Sequence, residues 1–210
     1  TAALIKYLGL MTHPDSFNRF ELIQHDLGQY MRLDSSAMKA LNLMPGPRDG
    51  VKTMSLFGLL NHCKTVAGTR LLARWLKQPL MNIDEIETRH LLVEAFVENS
   101  IVCQTLREDQ LQVIPDINRL VKKLQRGVAS LEDVVRLYQM VIRLPDLVES
   151  LENIIDEKYQ PTLTKIYVDK IKESHLNLEK LQELVETTVD LQALDNHEFI
   201  IKPDFDDRLR

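Results

Sequence analysis

The chain has 210 residues, of which 44% are hydrophobic and 27% are charged, and its net charge is −5. This balance is typical of a well-packed globular chain and argues against intrinsic disorder. No apolar run approaches the ~18 residues that a membrane-spanning helix needs, and the negative total gives no indication of nucleic-acid binding. The two cysteines, Cys63 and Cys103, form neither a disulfide framework nor a metal-binding spacing, and they fit a reducing compartment.

Charge is distributed unevenly along the chain. Residues 1–131 carry 16 basic and 13 acidic side chains, a net +3, whereas residues 132–210 carry 10 basic and 18 acidic ones, a net −8. The stretch Val51–Ile83 contains five lysines or arginines and no acid. The chain begins inside an apparent helix and stops at Asp206–Arg210 without a capping residue, so we expect it to be a piece of a longer protein.

The first third of the chain predicts short and mixed elements. A helix is expected over 2–10, and a polar loop follows it. The sequence then allows short strands around Phe20–Ile23 and Tyr30–Leu33 and a short helix over Ser35–Leu41. The run Met44–Gly50 contains two prolines and two glycines, which break helices and strands alike, so it predicts a turn and a candidate hinge.

Helices dominate from Ser55 onward. The residues that suit helix starts are Ser55, Thr65, Asn82, Pro115, Ser130, Pro145 and Pro161, of which Pro145 could equally end the preceding helix. The clearest apolar stripe at helical spacing is Leu131, Val134, Val135, Tyr138, Val141 and Ile142. Helices of this length joined by short turns bury their stripes against one another. The sequence therefore predicts an all-α fold, a multi-helix bundle.

The segment Lys64–Leu80 reads as one capped helix with an abrupt end. Thr65 supplies an N-cap hydroxyl, and Pro79, which lacks a backbone N–H, ends the element. One apolar face carries Ala67, Leu71, Leu72, Trp75 and Leu76, and the charged Arg70, Arg74 and Lys77 lie off it. We expect this face to be buried, so that Trp75→Ala lowers the free energy of unfolding by roughly 3–5 kcal/mol.

Four basic residues, spaced i, i+3, i+4 and i+7, share one ridge of a predicted helix: Arg119, Lys122, Lys123 and Arg126. The simplest interpretation is a solvated helix face with local salt bridges. The ridge could instead meet DNA phosphate, an acidic partner surface or the acidic second half of this chain, and phosphate contact would give binding that weakens steeply with salt. Charge reversal at Lys122 and Lys123 is expected to leave folding intact.

Catalytic patterns are absent from the sequence. There is no G-x-x-x-x-G-K-[ST] loop to hold nucleotide phosphates, so we expect no ATP binding by that route. The histidines and cysteines lack the His-x-x-x-His or Cys-x-x-Cys spacing of a metal site. We therefore expect no catalytic, cofactor-binding or metal-binding residues in this chain, and no turnover by it alone.

The Lys64–Leu80 segment resembles the G-x-R-x-L-x-x-W-L-x-x-P-L signature in the core domain of MutS-type DNA mismatch-recognition proteins. The signature residues here are Thr65, Gly68, Arg70, Trp75, Leu76, Pro79 and Leu80. A second run of matching residues comprises Ile86, Arg89, Asp116, Arg119, Leu120, Gly127, Ala129, Asp133, Leu144 and Pro145. The wording is closest to the eukaryotic second MutS homologues, and Cys63-Lys64 departs from the sequence that bacterial members usually carry.

This resemblance implies an organisation and a function. Residues 1–26 would be the tail of a connector domain, 27–202 a helical core or lever domain, and 203–210 the start of a clamp domain. The helices would couple an ATPase domain to a clamp that holds mismatched double-stranded DNA, with both of those units outside this chain. The resemblance also implies ATP and Mg as cofactors of the full-length protein, a second MutS-homologue subunit as heterodimer partner, and a nuclear location. We expect no membrane partner, since no apolar run is long enough to span a bilayer. Composition and periodicity alone fit a generic helical protein–protein interaction scaffold equally well.

Overall fold

The computed structural model describes residues 2–9, 21, 23, 27–46, 50–190 and 200–202, and it is almost wholly helical there. The helices are α1 (Ala2–Tyr7), α2 (Ser35–Ala40), α3 (Leu56–Leu60), α4 (Val66–Lys77), α5 (Ile83–Glu98), α6 (Ser100–Thr105), α7 (Ile117–Gln125), α8 (Leu131–Val141), α9 (Leu144–Glu152), α10 (Gln160–Leu163) and α11 (Asp169–Thr188). One π-helical turn, Leu106–Gln110, extends α6, and another, Thr164–Val168, joins α10 to α11. The predicted all-α fold is confirmed. None of the helices in this part of the chain is long and apolar enough to cross a bilayer.

Extended pairing is limited, in the described residues, to two isolated antiparallel bridges. In the first, Tyr30 lies opposite Leu80, the Met31 N–H donates to the Pro79 carbonyl at 2.8 Å, and the Met81 N–H donates to the Gln29 carbonyl at 3.1 Å. The strand that the sequence allowed at Tyr30–Leu33 is therefore a single bridge, because its one partner is the short segment that follows α4. The strand suggested at Phe20–Ile23 falls largely outside the described residues.

Four of the predicted helix starts are capped as expected. The hydroxyl of Ser55 accepts from the N–H of the third residue on at 3.1 Å, that of Thr65 does so at 2.9 Å, and the Asn82 amide oxygen does so at 3.2 Å. Ser130 forms a complete capping box with Asp133. These side chains satisfy N–H groups that the first turn of a helix leaves without partners.

The three prolines divide into two groups. Pro145 and Pro161 lie in the first turns of α9 and α10, where a missing N–H costs nothing. Pro115 does not begin a helix, so that prediction is wrong. The N-cap of α7 is Asp116, whose carboxylate accepts from the Arg119 N–H at 3.3 Å, and Pro115 lies one residue outside the helix.

The hydrophobic core lies in the part of the chain that runs from α5 to the end of α11. Its fully buried side chains include Ala95, Val135, Val141, Ile154, Tyr159, Leu163, Val168, Val185 and Val189. Before α5, the described side chains that are buried are Leu43 and Ser55. The region before α5 thus packs much less apolar surface than the body that follows.

Helix α8 contributes to two clusters of this core and is buried on more than one side. Val135 and Tyr138 pack against Val185 and Val189, at the end of α11. Leu137, Met140 and Val141 form a second cluster, which contacts α11 nearer to the start of that helix. The apolar stripe predicted for α8 was too narrow, because it left out the buried Leu137 and Met140. It was wrong at Ile142, which is exposed.

Candidate functional site

The signature helix α4 begins and ends as the sequence predicts. Thr65 is its N-cap, Lys77 is its last residue, and Pro79 follows directly after the C-cap Gln78. The Pro79 carbonyl and the flanking residues of Leu80 then form the bridge to Gln29–Met31. The end of the signature therefore has a second role, because it ties the chain before α2 to the chain after α4.

The apolar face of α4 is largely open, which corrects the expectation that it is buried. Leu71 is 44% exposed and Trp75 is 37% exposed. Ala67 is exposed as well, whereas Leu72 and Leu76 are half-buried. The spacing of these residues correctly predicts that they share one face of the helix. The side chains that would cover the face are not supplied by the described residues of this chain.

One face of the Trp75 indole ring is covered by a cation from α5. The Arg89 guanidinium lies over the indole ring, 3.9 Å from its centroid. The two side chains line a surface cavity of about 330 Å³ together with Leu92 and Tyr167. A guanidinium over an aromatic face is attractive because the ring presents its negative quadrupole to the cation. This pair joins the signature to the Arg89 position of the matching run that follows it.

Gly68 is in the signature for a local steric reason. A Cβ at this position would lie 3.0 Å from the Thr65 hydroxyl oxygen and within 3.6 Å of the Cys63 side chain. The same hydroxyl accepts the Gly68 N–H, so the capping bond draws the two residues close together. Glycine therefore gives the N-cap the room that it needs.

Arg70 connects α4 to α7. Its guanidinium forms an ion pair and hydrogen bond with the Asp116 carboxylate, which also caps α7. The hydrogen bond from Arg70 and the backbone bond from Arg119 hold the pKa of Asp116 below its usual range, against the opposing effect of desolvation. Asp116 is thus anionic at neutral pH and links two elements whose residues lie 46 positions apart.

Lys123 connects the other end of α7 to α8. Its ammonium lies 2.7 Å from both carboxylate oxygens of Asp133, which is buried and belongs to the capping box of Ser130. The hydrogen bond from Lys123, followed by that from the Ser130 N–H, lowers the pKa of Asp133. Charge reversal at Lys123 would place two carboxylates together at this point, so on this contact we expect it to destabilise the fold, contrary to the expectation from the sequence.

The rest of the basic ridge is exposed. Arg119, Lys122 and Arg126 form no salt bridge with a described residue. The structure places all four ridge residues along a surface groove of about 320 Å³ that Arg70 also lines. The signature helix and the ridge therefore meet at one site, which sequence reasoning did not predict.

The acids that organise this site were given no role from the sequence. Asp116 and Asp133 were noted there as residues of the second matching run. The signal that could have identified them is the absence of any acid between Ile117 and Leu131, which leaves the four ridge cations to seek partners at the two ends of α7. In the described part of the chain no group of histidine, cysteine or acidic side chains could hold a metal ion.

Known proteins are similar to this chain over its whole length. Residues 36–205 match the family model described as MutS domain III. The DNA mismatch repair protein msh-2 of Neurospora crassa is 60% identical over 209 residues, an alignment that covers 100% of this chain and 22% of that protein. The DNA mismatch repair protein MSH2 of Saccharomyces cerevisiae is 41% identical, with 99% of this chain and 24% of that protein covered. The bacterial DNA mismatch repair protein MutS of Macrococcus caseolyticus is 39% identical over 65% of this chain.

The chain spans less than a quarter of the length of these eukaryotic relatives. Both the signature helix and the basic ridge fall inside the matched domain. The resemblance first seen in the Gly68–Leu80 wording thus extends over the described helices from α2 to α11. The chain belongs to the MutS family, and it carries that family's domain III.

Proposed function

We propose that this chain is the helical lever of a DNA mismatch-recognition protein. On this proposal, the full-length protein binds mismatched double-stranded DNA, hydrolyses ATP with Mg in another domain, and acts in the nucleus together with a second MutS-homologue subunit. This chain would have no turnover of its own. It would transmit movement between the ATPase and the clamp that holds DNA.

The observation that carries the proposal is the way in which α7 is attached. One end is bound to the signature helix through Arg70 and Asp116, and the other end is bound to the core helix α8 through Lys123 and Asp133. Leu120 is the buried residue of α7, so apolar packing contributes little to its position. A displacement of α4 would therefore reach α8 through two ion pairs and a short rigid helix.

The length and packing of the last helix support the same role. Gln160–Thr188 is continuously helical through its π-helical turn and measures roughly 40 Å at 1.5 Å per residue. It packs against both α8 and α9 through Val168, Val185 and their neighbours. Such a helix would carry a displacement between α9 and α8, the two helices that it packs against.

A charge-removing substitution tests the transmission. Asp116→Asn keeps a good N-cap on α7 but removes the charge that holds Arg70. In the full-length protein we expect the stimulation of ATP hydrolysis by mismatched duplex to fall about fivefold, the lower end of typical coupling between sites. Hydrolysis without DNA should stay at the parent rate. The measurement is the ratio of steady-state hydrolysis rates with and without duplex.

Asp109→Asn is the matched control, because Asp109 is exposed and forms no ion pair with a described residue. It should leave the ratio unchanged. A parental ratio in Asp116→Asn would contradict the lever role. It would favour the alternative in which these helices serve only as a surface for protein binding.

A further inference from the structure

We propose that the groove between α4 and α7 binds the sugar-phosphate backbone of duplex DNA through Arg119, Lys122 and Arg126. The inference deepens the proposed function and rests on it, since it takes the DNA that the full-length protein holds as the ligand. It adds a contact made by the lever itself.

Internal pairing leaves the groove strongly positive. Lys123 is neutralised by Asp133, and Arg70 by Asp116, so each of these pairs carries no net charge. Arg119, Lys122 and Arg126 keep their charges exposed along the same groove. The interpretation of a solvated face with local salt bridges needs nearby acids, and the sequence has none between Ile117 and Leu131.

The spacing of the three cations suits a phosphate backbone. Arg119 and Arg126 are two helical turns apart, which is about 10 Å along α7. Successive phosphates of one DNA strand are separated by about 3.4 Å along the duplex axis. With α7 parallel to the duplex axis, the ridge would span about three phosphate steps of one strand. The two guanidinium groups offer paired N–H donors of the kind that bind phosphate oxygens.

The lining of the groove argues against an acidic protein segment as the ligand. Protein interfaces depend on a few buried apolar or aromatic anchors that fill pockets. The apolar side chain at this groove is Val128, which is 67% exposed, and the remaining lining consists of Asn118, Asp116 and the five cations. A groove lined mainly by cations and polar side chains, with one exposed valine, fits a ligand that presents anionic oxygens.

The test uses the full-length protein in its native assembly and a labelled, fully paired duplex. The variant Lys122→Gln/Arg126→Gln removes two cations that form no ion pair with a described residue. The slope of log Kd against log salt should fall in magnitude by about 2, at about 0.9 per phosphate contact. Over a fourfold rise in salt, the parent should then lose about tenfold more affinity than the variant.

The matched control is Lys165→Gln/Lys170→Gln. It removes two exposed lysines of the continuous helix Gln160–Thr188 that form no ion pair with a described residue. Its salt slope should equal that of the parent. A parental slope in the Lys122→Gln/Arg126→Gln variant would overturn the inference while leaving the lever proposal intact. Failure of the parent itself to bind duplex would overturn both.

A second probe separates the two kinds of anionic ligand. A labelled oligoglutamate peptide is titrated against parent and variant under the same conditions. We expect weak peptide binding that falls far less in the variant than duplex binding does. If the variant lost peptide binding and kept the parental DNA slope, the groove would be a site for an acidic protein segment and the inference would be overturned.

Discussion

At the scale of single residues, the partners of Trp75 and Lys123 decide what these side chains contribute. The Trp75 indole is partly open to solvent and lies under the Arg89 guanidinium. Lys123, one of four similar cations in the sequence, is the one that reaches the buried Asp133. Helical spacing assigns each of these residues to a face of its helix. A partner 10 or 14 positions away in the sequence determines whether another side chain contacts that residue.

Trp75→Ala should therefore cost less than complete burial of the ring would imply. We expect the free energy of unfolding of the 210-residue chain to fall by about 2–3 kcal/mol, because roughly a third of the residue remains in solvent. The measurement is urea denaturation followed by circular dichroism. Repeating the substitution in an Arg89→Ala background should lower its cost by about 0.5–1 kcal/mol, the usual value of an exposed cation–π pair. A loss above 4 kcal/mol would mean that the ring is fully enclosed.

At the scale of elements, the start of the signature helix shows two local rules in conflict. Glycine inside a helix is unfavourable relative to alanine by about 1 kcal/mol. Gly68 nevertheless lies in the first turn of α4, where a Cβ would be 3.0 Å from the capping hydroxyl of Thr65. The cap contributes about as much as the glycine costs, so the two residues act as a unit.

A double-mutant cycle tests this unit. In the parent, Gly68→Ala should change the free energy of unfolding little or lower it, because the gain in helix propensity is offset by crowding of Thr65. In a Thr65→Ala background, which itself should cost about 1 kcal/mol, the same change should stabilise the chain by up to about 1 kcal/mol. Urea denaturation of the four proteins gives the coupling. Equal effects of Gly68→Ala in both backgrounds would show that the glycine serves some other purpose.

At the scale of the whole molecule, the described chain divides into a region before α5 with little buried surface and a body from α5 to α11 that holds the core. The clusters around Leu163 and Val141 belong to the body, whereas the apolar residues of α3 and α4 are mostly exposed. Hydrophobic stabilisation follows the area removed from water. Stability of this chain should therefore depend on substitutions in the body.

Two adjacent isoleucines give a matched test. Ile154 is fully buried with Ala95 and Leu163, and Ile155 is 81% exposed. We expect Ile154→Ala to lower the free energy of unfolding by about 2–5 kcal/mol and Ile155→Ala to change it by less than about 0.5 kcal/mol. The measurement is again the urea midpoint at constant slope. Similar losses for the two variants would show that the loop after α9 packs differently.

The part of the fold that depends on neighbours in sequence was predictable. The caps at Thr65, Asn82 and Ser130, the end of α4 before Pro79 and the helical class follow from hydrogen bonds and spacing within a few residues. The family resemblance was recognisable in the same way, from residue types at fixed separations along the sequence. The division at residues 26/27 and 202/203 stays a prediction, as do the roles given to the ridge residues.

Sequence by itself determined that this protein is helical, where most of its helices begin, and which family it belongs to. Tertiary structure alone decided that the face of Trp75 stays largely open, that Lys123 but not Lys122 pairs with an acid among the described residues, and that Arg70 meets the ridge through Asp116. The physical reason is range. Capping and helical periodicity act over three or four residues, whereas burial and ion pairing depend on which distant segment the folded chain brings alongside.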